Sequence, residues 1–275
     1  MWNSGQMDIN TIKDMEIQHI SSLQNQKIKN LVLLQQKSAE RRKQNCFVVE
    51  GQREIQHCLS AGFCIESVFF LPQLVNIDFS QLPTEYCYSV SQNVYEKIAY
   101  RGSTEGIIAI VRSKNMSLHD IKLSENPLVM VAESVEKPGN IGAILRSADA
   151  AHADAVILCD GLTDIYNPNI IRSSIGAVFT VPVVSCSSAE CIEFLKQRNI
   201  RILTAQLQDS KPYYDCDMTQ PTAIVMGTES TGLTNQWRES ADAHILIPML
   251  GKLDSLNVSV SAAIFLFEAV RQRQR

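Results

Sequence analysis

The sequence holds eight cysteines but no Cys-x-x-Cys pair. That argues against a zinc ribbon or a redox dithiol, and no metal is expected. Cys46, Cys58, Cys64, Cys87, Cys159, Cys186, Cys191 and Cys216 are scattered. Several lie in apolar stretches such as Val156-Ile157-Leu158-Cys159, where cysteine acts as a small hydrophobe. No apolar run approaches the roughly 18 residues that span a bilayer, so no membrane is expected as a partner. The N-terminus reads without a signal peptide, and a reduced, cytoplasmic setting is the expectation. There is no internal repeat and no low-complexity stretch. There is also no basic excess: 25 Lys and Arg against 29 Asp and Glu give a net charge of −4, which does not advertise nucleic-acid binding. What is present is ordinary for a globular protein: 45% hydrophobic and 20% charged residues. A chain of 275 residues has room for two domains and a large core.

The charge is uneven. Lys27, Lys29, Lys37, Arg41, Arg42 and Lys43 fall within a short stretch against the single acid Glu40. Such a run is either a solvated helix face or a strip that holds phosphates.

Hydrophobic patterning divides the chain. Residues 1–16 lack a core pattern and read as an extension. Residues 17–42 read as helical, followed by a strand at 46–49, a helix at 52–61 and a strand at 65–71. Further strands at 85–90 and 106–112 flank a helix at 92–100. Residues 17–113 thus form one small α/β domain, and the polar stretch 114–127 reads as a linker. In 128–275 strands and helices alternate. Strands are expected at 128–132, 155–159, 179–184, 200–205, 223–226 and 245–249, with helices near 140–152, 167–175, 188–198 and 256–273. Near-continuous apolar strands in alternation with helices predict a mostly parallel sheet covered on both faces. Ligands of such sheets bind beyond the carboxyl ends of strands, which directs attention to the loops after Ala132, Met226 and Met249.

The first of these reads Glu136-Lys137-Pro138-Gly139-Asn140-Ile141-Gly142, with Arg146 further on. Asn140 is a good N-cap, and Ile141, Ile144, Leu145, Ala148 and Ala151 make one apolar face. Gly142 and Arg146 stand four apart on another face, where a substrate could approach the backbone beside a fixed positive charge. The alternative is a glycine that packs tightly beside a solvated arginine. The second loop is Met226-Gly227-Thr228-Glu229-Ser230-Thr231-Gly232-Leu233. Its two glycines permit a tight turn next to a ligand, but the pattern is not Gly-x-Gly-x-x-Gly and does not support a Rossmann dinucleotide site. The third runs Ile247-Pro248-Met249-Leu250-Gly251 and on through Ser255-Leu256-Asn257-Val258-Ser259. Ser255 is placed as the N-cap of a long helix with core positions Leu256, Val260, Ala263, Ile264 and Phe267. Ser255 and Asn257 offer hydroxyl and amide groups at that helix's positive end, suited to a polar ligand or to ordinary capping.

In this order the three segments resemble the three motifs of the SpoU/TrmH branch of the SPOUT RNA 2′-O-methyltransferases. The matching residues are Asn140-x-Gly142-x-x-x-Arg146, Gly227-x-Glu229-x-x-Gly232-Leu233, and Ile247-Pro248-Met249 with Ser255-Leu256-Asn257-Val258-Ser259. Phe47-Val48-Val49-Glu50-Gly51 and Thr104-Glu105-Gly106-Ile107 also resemble the substrate-binding domain often joined to that family, a fold akin to small ribosomal proteins. Two departures stand out. Glu105 replaces a glutamine common in relatives, and Lys137 occupies the place of an aspartate before Pro138.

The resemblance implies an α/β fold class: a C-terminal parallel-sheet SPOUT domain with a deep trefoil knot, preceded by the small ribosomal-protein-like domain. It implies a homodimer, S-adenosyl-L-methionine as cofactor near Met226, Gly227, Ile247, Met249 and Leu256, and RNA as partner. A catalytic set of Arg146, Asn140, Glu229, Ser255 and Asn257 follows from the motif positions, with Lys37, Arg41, Arg42 and Lys43 for RNA binding. Arg146 is cast as activator of the ribose 2′-hydroxyl. A guanidinium is a poor general base, so a clamp on the adjacent phosphate fits its chemistry equally well. A 2′-hydroxyl acceptor makes the substrate RNA and excludes DNA. Ribosomal RNA is the expected substrate. The alternatives are a transfer-RNA enzyme, a catalytically silent RNA-binding or ribosome-assembly protein, and an enzyme of small nucleotides.

Overall fold

A computed structural model describes residues 17–75, 84, 86–99, 105–161, 163–228 and 231–274. The expected extension 1–16 and, among the motif residues, Thr104, Glu229 and Ser230 lie outside them. The chain divides into two compact units, Met1–Lys114 and Asn115–Arg275.

In the N-terminal unit the elements are β1 (Gln18–Ile20), α1 (Gln26–Gln36), α2 (Ser38–Gln44), β2 (Cys46–Glu50) and α3 (Gln52–Ser60). They continue with β3 (Ile65–Phe70), β4 (Cys87–Val90), α4 (Gln92–Ile98) and β5 (Ile107–Arg112). The sheet order is β1-β4-β3-β5-β2, with β1 and β3 parallel to β4 and with β5 antiparallel to both its neighbours. Ile28, Leu31 and Leu34 of α1 recur at helical spacing and bury against Val94, Tyr95 and Ile98 of α4 and against the sheet. The single helix expected over 17–42 is in fact a strand and two helices. Lys37, in extended conformation at φ −120°, ends α1. Arg41 then folds back, its Nη1 donating to Leu34 O at 2.6 Å and Gln35 O at 3.2 Å. These carbonyls belong to the last turn of α1, where no helical partner is available, so the guanidinium completes that turn. The two family-like segments of this unit meet: Gly51 N donates to Ile107 O, and the Glu105 carboxylate accepts from Gln52 N at 2.8 Å. Glu105 therefore caps the start of α3. Burial pushes the Cys46 and Cys58 thiols up to about 12, which keeps them neutral, in line with their reading as small hydrophobes.

The C-terminal unit comprises β6 (Leu128–Glu133), α5 (Pro138–Ala150), β7 (Ala155–Cys159), α6 (Pro168–Ser174), α7 (Ala177–Thr180) and β8 (Val183–Cys186). After these come α8 (Ser188–Gln197), β9 (Arg201–Ala205), β10 (Lys211–Pro212), β11 (Thr222–Met226), α9 (Asn235–Ser240), β12 (Ala243–Leu246) and α10 (Val258–Arg273). All seven strands are parallel, in the order β10-β12-β9-β11-β6-β7-β8. The central strands are buried along their whole length. Val129, Val131, Ile157, Ala223 and Val225 face the core containing Trp237, Phe194 and Leu195, while α5 and α10 pack together and α10 also meets β6 and β11. Among the described residues no helix is long and apolar enough to cross a membrane.

Four expectations need correction here. Residues 115–127 of the expected linker 114–127 belong to this unit, because Leu118 and Ile121 sink into its core. Residues 179–180 of the expected strand 179–184 fall in the short helix α7 (Ala177–Thr180). Ile175 and Gly176, both at positive φ, redirect the chain, and β8 starts only after Pro182. Strand β12 stops at Leu246, so Ile247-Pro248-Met249 lies in a loop, where a residue without N–H breaks no ladder. The short β10 and α9 carry no periodic pattern long enough to read from sequence. In α10 the buried residues are Val258, Ala262, Phe265, Leu266, Glu268 and Ala269, whereas Val260 and Phe267 are 47% and 48% exposed and Leu256, at 38%, precedes the helix. Its apolar residues are spread around the helix, and periodicity cannot choose the inner face of such a helix.

Candidate active site

The loops after β9, β11 and β12 converge with the start of α10 around a cavity of about 360 Å³. Met226, Gly227, Ile247, Met249 and Leu256, the residues expected near a cofactor, all line it, as does Ser255. Gln206, Leu207, Arg238 and Phe265 line it too and were not singled out from sequence. The signal for the first two was their place just past the carboxyl end of β9. Arg238 lies on the short α9, which no pattern announces.

The turn after β11 depends on its glycines. A Cβ on Gly227 would stand 2.6 Å from Leu233 N, inside any tolerable contact, and Gly232 has φ +67°. Gly232 N donates to Thr228 O and Thr231 N to Thr228 Oγ1, closing the turn against itself. Behind it stands Glu133, 2% exposed at the end of β6. Its carboxylate accepts from Thr234 N at 2.8 Å, Thr234 Oγ1 at 2.6 Å and Ser188 Oγ at 3.3 Å. Trp237 Nε1 donates to Ser188 Oγ at 2.8 Å. A buried carboxylate with this many donors is a fixed anchor, and it holds Thr234, just past the turn, in place. Sequence reasoning missed it because Glu133 falls just past the expected strand 128–132, where a single acid reads as an ordinary loop residue.

Two expected caps are displaced by a few residues. Helix α5 begins at Pro138 with Lys137 at the cap position, so Asn140 sits inside its first turn. Proline's preset φ and absent N–H suit that first position. Asn257, not Ser255, caps α10, its Oδ1 accepting from Ser259 N at 2.9 Å. These shifts bring the first and third motifs together: Asn257 Nδ2 donates to Asn140 Oδ1 at 3.1 Å, across 117 positions of sequence. Ser255 remains exposed, its hydroxyl near Asp254. Gly142 is not open to a ligand. A Cβ there would lie 2.8 Å from Ser174 N, so the glycine lets α6 pack against α5. Arg146, on the same helix, is exposed and makes no side-chain hydrogen bond or ion pair among the described residues. Glu229 lies outside the described residues.

Of the expected RNA-binding residues in the N-terminal unit, Lys37, Arg42 and Lys43 are exposed. Arg41 is a correction: it is 5% exposed and spent on the carbonyls of α1, so its charge is structural.

The polar loops gather beyond the carboxyl ends of a parallel sheet, the ligand-binding position of open α/β folds, and the Asn140–Asn257 contact joins two of them. Residues 127–267 match the model of the SpoU rRNA methylase family, and residues 25–109 match the MRM3-like substrate binding domain. The chain belongs to the SpoU rRNA methylase family. It is 29% identical over 256 residues to the 23S rRNA (guanosine(2553)-2′-O)-methyltransferase RlmP of Bacillus subtilis, covering 91% of this chain and 98% of the relative. It is 39% identical over 178 residues to the 23S rRNA (guanosine-2′-O-)-methyltransferase RlmB of Photobacterium profundum, covering 62% of this chain and 73% of the relative. Among solved structures, an RNA 2′-O ribose methyltransferase superposes with a TM-score of 0.82 at 38% identity, covering 94% of this chain and all of the other. An AdoMet-bound rRNA methyltransferase from Sinorhizobium meliloti gives 0.85 at 27% identity, covering 93% and 98%.

Proposed function

We propose that the cavity beyond β9, β11 and β12 receives S-adenosylmethionine and that Arg146, Asn140 and Asn257 receive the RNA ribose beside it. The chain is an S-adenosylmethionine-dependent RNA 2′-O-ribose methyltransferase acting on ribosomal RNA. The observation that carries the site assignment is the meeting of all three motifs, two across the Asn140–Asn257 contact and two around one cavity. The residues fit the cofactor. Met226, Leu233, Ile247 and Phe265 offer apolar surface to a purine ring, and two buried polar atoms of the lining, Gln206 Oε1 and Arg238 Nε, find no hydrogen-bond partner among the described residues. A ligand rich in donors and acceptors satisfies such atoms.

When bound, the cofactor supplies an electrophilic methyl group. The protein's task is to hold the 2′-hydroxyl in line and to manage its proton, and positioning alone can supply up to about 7–11 kcal/mol. Arg146 clamps the phosphate next to the target ribose or orients its hydroxyl, a role that suits an exposed guanidinium. Asn140 and Asn257 fix the ribose edge, Ser255 lies at the cavity mouth, and Glu229 joins the catalytic set by its place in the second sequence motif.

The finer architecture follows the same reading. Residues 17–113 act as the substrate-binding domain, with Lys37, Arg42 and Lys43 toward phosphates, and 128–275 as the catalytic domain. The trefoil knot is supported by the chain's course: after β12, near one edge of the sheet, it turns back to seat α10 over the central β6 and β11. A homodimer is supported by the apolar side of α10, where exposed Val260 and Phe267 flank the half-buried Ala263 and Ile264. Phe267→Glu should convert a dimer to a monomer in light scattering; a mass unchanged from wild type would remove α10 from the interface. A cytoplasmic location accords with ribosomal RNA as substrate.

The test is methyl transfer from labelled S-adenosylmethionine to separated ribosomal and transfer RNA, with wild type and Arg146→Ala. Label recovered from ribosomal RNA as 2′-O-methylnucleoside, and lost in the variant, is the expected result. Label in transfer RNA alone would reassign the substrate. Cofactor binding and RNA binding without transfer to either RNA would favour a silent assembly protein.

A further inference from the structure

Cys159, Cys186 and Cys191 converge although they are far from adjacent in sequence. Their three sulfur atoms lie within 4.8 Å of one another. Cys159 and Cys186 are register partners at the carboxyl ends of the parallel neighbours β7 and β8, and Cys191 comes from the first turns of α8. The start of that helix is fixed by the Ser187–Glu190 capping box, and Ser188 N donates to Asp160 at 3.2 Å. Cys159 and Cys191 are buried, whereas Cys186 is half-buried on the edge strand and gives access from solvent.

We propose that these three cysteines form a binding site for one thiophilic metal ion, Zn²⁺ or Cu⁺, separate from the methyl-transfer site. Soft sulfur donors select these ions. An ion about 2.3 Å from each sulfur needs sulfur–sulfur separations of about 4 Å, so side chains already within 4.8 Å close on it by rotamer adjustment alone. Asp160 follows Cys159 and Glu190 precedes Cys191, so a cation approaches acidic ground, and water can complete a fourth position for Zn²⁺. The thiols release protons on binding and the ion ties β7, β8 and α8 together. The motif has no Cys-x-x-Cys because its ligands come from two strands and a helix, which is why spacing alone did not reveal it.

The experiment is titration of the full, reduced chain with Co²⁺, read by thiolate-to-cobalt charge-transfer absorption, followed by displacement with Zn²⁺ and, separately, Cu⁺. One equivalent should saturate the band, Cys186→Ser and Cys191→Ser should each abolish it, and Cys64→Ser should leave it intact. Added Zn²⁺ or Cu⁺, whichever displaces cobalt at stoichiometric concentration, should raise the unfolding midpoint of wild type but not of Cys186→Ser. Absence of a band in wild type, or a band that survives Cys186→Ser, would reduce the cluster to core packing and overturn the proposal. Neither readout involves methyl transfer.

Discussion

The two units solve the same problem with different sheets. The N-terminal sheet is mixed, so its loops emerge at both ends and do not gather over one, and the unit offers a charged helical surface instead. The C-terminal sheet is wholly parallel. Every loop that leaves a strand's carboxyl end emerges on one side, and three of them meet there. The contrast extends to single arginines. Arg146 is exposed and makes no side-chain hydrogen bond among the described residues, whereas Arg41, in an inviting basic run, is buried as a helix terminator. Charge in a sequence therefore says little until its hydrogen-bond partners are known.

The sharpest way to break this comparison is to remove Arg146. Arg146→Ala should lower transfer by on the order of 10²–10³, as for loss of one preorganised electrostatic donor, with cofactor affinity by calorimetry within about twofold. A parallel loss of cofactor binding would move Arg146 into the cavity. Next in size, Trp237→Ala should cost about 3–5 kcal/mol in urea unfolding, because a fully buried side chain and the Ser188–Glu133 network go together. A loss below about 1 kcal/mol would mean that the anchor behind the β11 turn is dispensable.

The basic run can be dissected in the N-terminal unit. Neutralising Lys37, Arg42 and Lys43 to Gln should weaken RNA binding and flatten its salt dependence by roughly 0.7–0.9 for each phosphate left without its cation. Arg41→Gln should leave that slope unchanged and instead destabilise by about 1–3 kcal/mol, since two helix-end carbonyls lose their donor. The reverse pattern would return Arg41 to the RNA. Asn257→Ala should cost about 1 kcal/mol through removal of the cap, with a further drop in transfer because the hydrogen bond to Asn140 goes with it. The smallest effect concerns acid. Hydrogen bonds from Ser117 and Ser187 hold the Asp120 and Glu190 carboxyls below their ordinary range. Their contribution is therefore complete above that range and fades as pH falls through it toward the depressed values. Both groups are exposed, so Asp120→Asn with Glu190→Gln should shift the acid limb of the stability curve only slightly.

Much of the fold was legible because β-strands buried on both faces write continuous apolar runs. Leu128–Glu133, Ala155–Cys159 and Thr222–Met226 fell within a residue or two of expectation. The candidate site was legible only as three separate loops, two of which line one cavity. What failed was whatever depends on choosing among equivalent local options. The apolar residues of α10 are spread around the helix and do not mark its inner face, a basic stretch does not mark which arginine turns inward, and Asn140 and Ser255 looked like caps until the helices began elsewhere.

The sequence by itself determined the parallel sheet, the glycine-dependent turn after β11 and the chemical types gathered in each motif, since apolar periodicity and backbone permissiveness are local properties. Only the tertiary structure decided that Asn140 meets Asn257, that Glu133 anchors Thr234 and that three distant cysteines share one corner. Each of these contacts joins residues from different elements, and their geometry is set by how strands and helices pack.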